Sequence, residues 1–271
     1  MTAGARRVRL DVLLVERGLA DTRSRAQALL MSGRVTSAGV RVDKPGLSVA
    51  PSIPLAVSPG RVYVSRGGRK LAFALERFGI VVDERDALDV GASTGGFTQV
   101  LLEAGARRVV ALDVGHGQLD WGLRNDPRVV VVERFNARYL KPEDLAFPPS
   151  LVAVDVSFIS LKWILPAVVP CLEPGGEIVA LIKPQFEVGR RDVGRGGIVR
   201  DPQLHRRTLL DLAAESRTLG WGLRDLCASR PRGADGNREF FVHLAPHRPG
   251  RARPDLDQAV DGALCEDDLD P

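Results

Sequence analysis

The stretch 88-LDVGASTGGFTQVLLEAG-105 decides the fold. An apolar strand carrying Asp89 runs into a turn of small residues and emerges as a helix. Gly91, Gly95 and Gly96 let a ligand approach the backbone closely, as in nucleotide-binding strand–turn–helix units. An ordinary tight turn between strand and helix is the alternative for the glycines alone. Two carboxylates argue past it. Asp113 ends the next strand, where a carboxylate can bond ribose hydroxyls. Asp89 stands just before the loop, poorly placed for a pyrophosphate and well placed for a positively charged ligand.

Outward from this loop, strands alternate with helices from about Arg66, the mark of a parallel α/β sheet. The strand candidates are 87-ALDV-90, 109-VVALDV-114, 129-VVVV-132, 151-LVAVDV-156, 178-IVALIK-183 and 239-EFFVHL-244. Helical stretches between them include TQVLLEAG, LKWILPAVVPCL and LHRRTLLDLAAESRTLG. This larger domain is expected over residues 67–245. Residues 61–66 form a connector, at the end of the proline-rich run PSIPLAVSPGRVYV. The tail 246–271 lacks periodicity, is rich in charge and proline, and is expected to be disordered.

Residues 1–60 form a smaller α+β module. Leu10, Leu13 and Leu14 share one face of a short helix that Gly18 can end. Thr22 is an N-cap for a second helix whose Ala26, Leu29 and Leu30 face inward, with Gly33 near its C-cap. Val35, a turn at Gly39, then Val40 and Val42 read as short strands. Residues 1–64 hold ten Lys/Arg against four Asp/Glu, whereas 246–271 hold three against seven, within an overall charge of +4. A basic N-terminal block suggests a polyanion partner, with a solvated basic surface as the alternative.

Hydrophobic residues make up 44% of the 271, enough for a real core. No apolar run approaches the roughly 20 residues that span a bilayer, so no stable membrane insertion is expected. MTAGARRVRL has no apolar signal region. Cys171, Cys227 and Cys265 are far apart without CxxC spacing, which points to a reducing compartment and against a zinc site. The four histidines do not cluster, so no metal is expected. The expected location is the cytoplasm, and no protein partner is expected.

Two cofactors compete for the loop. A dinucleotide wants GxGxxG with a helix N-terminus on its pyrophosphate, and GASTGG fails that spacing. S-adenosylmethionine lacks phosphate and carries an ammonium and a sulfonium. The loop DVGASTGGFT resembles motif I of S-adenosylmethionine-dependent methyltransferases, particularly the FtsJ type. The resemblance makes Asp89, Gly91, Ala92, Ser93, Gly95, Gly96, Phe97, Thr98, Asp113 and Asp155 the candidate cofactor-binding residues. A Rossmann-like domain with a mostly parallel sheet and an antiparallel edge strand is then the expected architecture. An NAD-dependent oxidoreductase is the weaker reading. The N-terminal segments RLDVLL, RGLADTRSRAQALLMSGRV and GVRVDKPG resemble the S4 RNA-binding domain. By position, Arg9, Arg23, Arg25 and Lys44, with Arg66 at the end of the connector, are the candidate RNA contacts.

Residues just past the fourth strand constrain the methyl acceptor. Methylation of a base amino group would suggest a Pro-Pro-aromatic element there. DVSFISL occupies that place instead, and FPPS at 147–150 lies before the strand. Cytosine C5 methylation needs a cysteine nucleophile, and nothing near Cys171 suggests a lowered thiol pKa. A ribose hydroxyl needs its proton removed and its oxygen aligned behind the methyl carbon. In 178-IVALIKPQFEVG-189 a buried-strand pattern ends on Lys183. A lysine base must be neutral, against a free pKa of roughly 10.4.

FtsJ-type ribose 2′-O-methyltransferases use a Lys-Asp-Lys-Glu tetrad, which maps here onto Lys70, Asp155, Lys183 and Glu239. With VSRGGRKL, DVGASTGGFT, DVSFISL, KPQFEVG and GNREFF in order behind an S4 module, the chain resembles the TlyA family. That resemblance implies methylation of cytidine ribose in ribosomal RNA of one or both ribosomal subunits. It also implies sensitivity to ribosome-binding cyclic peptide antibiotics. Lys183 is the implied base, Asp155 orients the base and the donor, and Lys70 and Glu239 complete the network. One departure is 61-RVYV-64, where Tyr63 stands in place of the family's tryptophan. Some family members have been called haemolysins, which raises a membrane-active protein as a rival. A non-catalytic RNA-binding or ribosome-assembly factor is another.

Overall fold

The computed structural model describes residues 7–58, 63–233, 236–247 and 255–266. Arg61 and Val62 of the expected connector, and 248–254 and 267–271 of the expected tail, lie outside the described residues. The chain divides into two compact units, Met1–Arg69 and Lys70–Pro271. The division falls inside a helix, beyond the expected connector at 61–66.

In the first unit, β1 (Val8–Arg9) leads into α1 (Leu10–Glu16) and α2 (Arg23–Met31). Then come β2 (Val35–Ser37), β3 (Val40–Arg41), β4 (Ser48–Val49) and β5 (Ala56–Val57). β2 is the centre of a three-stranded antiparallel sheet, and β1 pairs with β4. The Thr22 hydroxyl accepts from the Arg25 amide at 3.1 Å, the expected N-cap. Gly18 and Gly33 both take φ of +66°, which ends each helix without a Cβ clash. Leu10, Leu14, Ala26, Leu30 and Val35 are fully buried and form the core. Tyr63 is buried, and a Cβ on Gly68 would fall 2.6 Å from its ring, so the aromatic position packs tightly against that glycine.

Asp11 organises this small core. Its buried carboxylate accepts from Arg9, Arg23 and Gln27, each at 2.9 Å. The Arg9 hydrogen bond leads in holding its pKa well below the usual carboxylate range, against burial. A carboxylate depressed in the folded state stabilises above its unfolded pKa of about 3.9 and loses that contribution as pH falls. Asp11→Asn is therefore expected to destabilise this unit by about 1–3 kcal/mol at neutral pH. The difference from wild type should shrink on acidification below about pH 4, as measured by thermal melting of the two proteins.

The second unit begins within α3 (Arg66–Phe78), whose Lys70 opens it. Its parallel strands are β6 (Asp86–Val90), β7 (Arg108–Leu112), β8 (Val129–Val132), β9 (Leu151–Val154) and β10 (Glu177–Ile182). Helices α4 (Gly96–Glu103), α5 (Trp121–Arg124), α6 (Leu161–Val168), α7 (Pro184–Glu187) and α8 (Pro202–Thr218) lie between or after them. β11 (Trp221–Ala228), β12 (Phe240–Pro246) and α9 (Leu256–Cys265) complete the unit. The seven-stranded order is β11-β12-β10-β9-β6-β7-β8, with β12 antiparallel to both its neighbours. The chain leaves β6 toward β7 and β8, then returns to β9 on its other side. That reversal opens a crevice at the carboxyl ends of the strands.

The antiparallel edge is thus two strands, where the sequence reading found one. WGLRDLCA escaped because the register shifts between Leu223 and Asp225, and such a bulge breaks the period-2 alternation that marks a strand. The expectation of a disordered tail is corrected for residues 255–266. Leu256, Ala259, Val260, Ala263 and Leu264 repeat at helical spacing, and Val260 and Ala263 are buried in the main core. Asp255 caps the helix by accepting from the amides of Asp257 and Gln258. The acidic exposed face had masked this apolar stripe.

Candidate active site

Sheet register collects three of the four tetrad residues on one edge. The Asp155 amide, just past β9, donates to the carbonyl of Val90 at the end of β6, at 2.9 Å. Ile182 pairs with Phe240, so Lys183 leaves β10 where Glu239 enters β12. Lys183 Nζ lies 2.6 Å from Asp155 Oδ1 and donates to Ser157 Oγ at 2.9 Å. Both members of that pair are mostly buried, with side chains 12% and 23% exposed. Lys70 from α3 meets Glu239 Oε2 at 2.5 Å in a pair almost sealed from solvent. The four candidate residues form two ion pairs at the carboxyl edge of the sheet. Pro184 begins α7 at its first position, where no N–H is needed, so the chain turns away directly after Lys183.

The glycine-loop residues divide by role. Gly91 takes φ of +88°, and a Cβ there would fall 2.4 Å from the Asp155 carbonyl oxygen. Gly95, at φ +96°, is the N-cap of α4, and its missing Cβ leaves room for Leu119 and Leu123. Gly96, Ala92, Phe97 and Thr98 are buried beneath the loop; Ala92 packs with Ala111 and Leu119, and Phe97 against Phe241. These residues shape the turn from below. Asp113 accepts from the Ser93 amide at 2.8 Å and the Gly115 amide at 2.6 Å, which fixes its carboxylate at the end of β7.

Asp89 is fully buried, and Thr98 Oγ1 donates to its Oδ2 at 2.6 Å. Its other oxygen, Oδ1, has no hydrogen-bond partner. Burial above all, with the nearby charges of Asp155 and Asp113, pushes its carboxyl up to about 7.

A cleft of about 380 Å³ opens beside these groups, lined by Gly91, Ser93, Asp113 and Asp155 among others. Its remaining wall is mostly apolar, with Phe135, Val156, Ile159 and Ile164. Among the described residues that line it, two are carboxylates and none is Lys or Arg. Such a lining suits a cationic, phosphate-free ligand and opposes a pyrophosphate. Sequence reasoning missed Phe135, Asn136, Gln118 and Phe158 in this wall. Phe135 and Asn136 come after the carboxyl end of 129-VVVV-132, so applying the strand-end rule to that strand would have found them. Phe158 is 91% exposed, at φ +63°, and packs against Phe186 with ring centroids 5.0 Å apart.

The alternative acceptor chemistries lack their residues at this cleft. Cys171 is buried, its thiol is pushed up to about 11 by that burial, and its Sγ donates to the Ala167 carbonyl. A thiol buried and held protonated in this way does not suit a nucleophile, and Cys171→Ser is expected to retain methyl transfer. Phe147 of FPPS is buried under the Arg108 guanidinium, away from the cleft lining. Among the described residues no cluster of three or more potential ligands could hold a metal ion. Among them, too, no helix is long and apolar enough to cross a membrane.

The RNA-contact candidates lie in the first unit. Arg9 and Arg23 share Asp11 while remaining about half exposed. Arg25 and Lys44 are exposed, and Arg66 reaches Asp43 at 3.4 Å.

An α/β fold with this loop and edge defines a methyltransferase. The FtsJ-like methyltransferase family model matches residues 63–245, and the S4 domain model matches 8–52. The chain is 49% identical over 265 residues to the 16S/23S rRNA (cytidine-2′-O)-methyltransferase TlyA of Mycobacterium tuberculosis, covering 97% of this chain and 99% of that one. Hemolysin A of Brachyspira hyodysenteriae is 41% identical, over 88% of this chain and 99% of its own. A solved structure of a hemolysin-named protein from Streptococcus thermophilus superposes with a TM-score of 0.73 at 41% identity, over 95% and 96% of the two chains. The chain belongs to the TlyA family and is a methyltransferase with an N-terminal S4 domain.

Proposed function

We propose that this enzyme methylates the 2′-hydroxyl of cytidine in ribosomal RNA, using S-adenosyl-L-methionine. The observation that carries the reading is the Lys183–Asp155 pair at the carboxyl edge of the sheet, beside a cleft lined by carboxylates. The substrate class rests on likeness to the Mycobacterium tuberculosis relative.

The residues present fit the donor. Asp89 offers a buried oxygen without a partner, Asp113 a fixed carboxylate at a strand end, and Gly91 and Ser93 a backbone open to close approach. When bound, S-adenosylmethionine supplies an electrophilic methyl group on a sulfonium. The chain's own residues do the rest. Lys183, once it has released the ammonium proton it carries in its pair with Asp155, accepts the proton of the ribose hydroxyl at Nζ. Asp155 holds that amine in place and stabilises the ammonium it becomes. Lys70 and Glu239 neutralise one another inside the sheet edge. The S4 unit holds RNA phosphates through Arg9, Arg23, Arg25 and Lys44, with Arg66 beside them.

Asp89 makes donor binding pH-dependent. Its folded pKa of about 7 lies above the unfolded value, so its ionisation costs the ligand-free protein stability as pH rises from about 4 toward 7. A cationic donor favours the ionised form. Donor affinity is therefore expected to rise with pH through about 7, and Asp89→Asn should weaken binding and flatten that rise. Calorimetric titration at several pH values checks it; a pH-independent wild-type affinity would remove Asp89 from the donor site.

The function is tested on ribosomal subunits purified from a strain lacking the gene. Incubation with enzyme and labelled donor should introduce 2′-O-methylcytidine, mapped by primer-extension arrest. Absence of modification on either subunit and on free rRNA would sink the proposal.

A further inference from the structure

Helix α9 lies beyond the segment matched by the methyltransferase family model. Its C-terminal end nevertheless touches both elements that carry the Lys70–Glu239 pair. Glu266, directly after α9, accepts from the Ala228 amide through Oε2 at 2.7 Å. Its Oε1 accepts from Arg77 of α3 at 3.4 Å, and Arg77 also reaches Asp225 of β11 at 3.3 Å. Arg77 lies seven residues beyond Lys70, about two turns along the same helix face.

The grip on Glu239 is more direct. Arg238, the preceding residue, donates to the carbonyls of Ala263 at 3.1 Å and Glu266 at 2.9 Å. It thereby satisfies carbonyls left open at the end of α9. Ala228 pairs with Phe240, and the next amide, of Ser229, donates to the Glu239 carbonyl at 2.8 Å. Residues 228, 238 and 266 therefore surround the point where β12 begins.

We infer that Glu266 is a positioning residue for methyl transfer, its carboxylate clamping α3 to the end of β11, against which β12 begins, so that Lys70 and Glu239 keep their buried pair. This rests on the reading that the pair serves the reaction. The need for a clamp is physical. Lys70 and Glu239 are 169 residues apart in sequence, and both have long flexible side chains. Glu239 also sits where the strand ladder is only starting. The Glu266 carboxylate holds the end of β11, on which that ladder starts, by hydrogen bond and α3 by ion pair, and so removes that freedom. Val260 and Ala263 give α9 its place in the core without Glu266, so packing and clamping are separable.

The test is Glu266→Ala in the full chain, assayed on isolated ribosomal subunits with labelled donor. A fall in kcat of about 10- to 100-fold is expected, the scale of a roughly 1 Å misplacement. Donor Kd, RNA KM and the melting midpoint should stay near wild type. Glu266→Gln keeps an oxygen for the Ala228 amide but loses the ion pair with Arg77, and should recover only part of the rate. Unchanged kcat in Glu266→Ala overturns the inference. So does a rate loss that comes with equal loss of donor affinity and melting temperature, because that is general destabilisation. Glu239→Gln, run in parallel, separates the two ideas. Full activity there overturns the reading of the pair itself, whereas an inactive Glu239→Gln beside a fully active Glu266→Ala overturns the clamp alone.

Discussion

Replacing Lys183 with alanine is expected to lower kcat by about 10²- to 10⁴-fold, the usual contribution of a positioned acid or base. Donor and RNA binding should persist. The side chain makes one ion pair, to Asp155, and one hydrogen bond, to Ser157, and its removal leaves the sheet ladder of β10 untouched. Asp155 is still held by the hydrogen bond its backbone amide donates to the Val90 carbonyl. Single-turnover methylation of ribosomal subunits, set beside calorimetric donor binding, reads the two effects separately. An unaltered transfer rate would show that Lys183 is no base. Lys183→Arg is expected to be as poor as alanine. A guanidinium keeps the charge beside Asp155 but does not deprotonate at working pH.

The second large effect is expected from one added methyl group. Gly91→Ala places a Cβ 2.4 Å from the Asp155 carbonyl oxygen, in a backbone conformation with φ of +88°. The obstacle is backbone, so no side chain can swing aside. The conformational strain alone costs about 1–3 kcal/mol, and relief of the clash must move either the loop or the Asp155 peptide. Moving that peptide displaces the carboxylate that holds Lys183. Stability, donor affinity and kcat should therefore fall together. Gly95→Ala makes a discriminating control. Its φ of +96° carries similar strain, but its Cβ meets only the ends of Leu123 and Leu119, which can yield. It should lose stability and keep more activity than Gly91→Ala. Equal activity in the two variants would show that contact with Asp155 has no special consequence.

Much of this molecule is legible along the chain, because the legible parts obey local rules. The Thr22 cap, the helix ends at Gly18 and Gly33, and five parallel strands arise from periodicity and from residues that only certain backbone angles accept. Where the local rule was interrupted, the reading failed. The bulge in Trp221–Ala228 hid a strand, and an acidic face hid the apolar stripe of Leu256–Cys265. The candidate cofactor residues show the same division. Motif position singled out Gly91 and Thr98 alike, although one lines the cleft and the other lies buried under it.

The sequence by itself determined the order of the five parallel strands, the turn chemistry of the glycine loop, and a lysine at the end of a buried strand. Tertiary structure alone decided that Lys183 faces Asp155, that Lys70 crosses to Glu239, and that Glu266 meets both Arg77 and the Ala228 amide. Helical and strand periods depend on neighbours a few residues apart and are written in any short window. The pairing of side chains more than a hundred residues apart depends on strand order and register, which exist only once the sheet has formed.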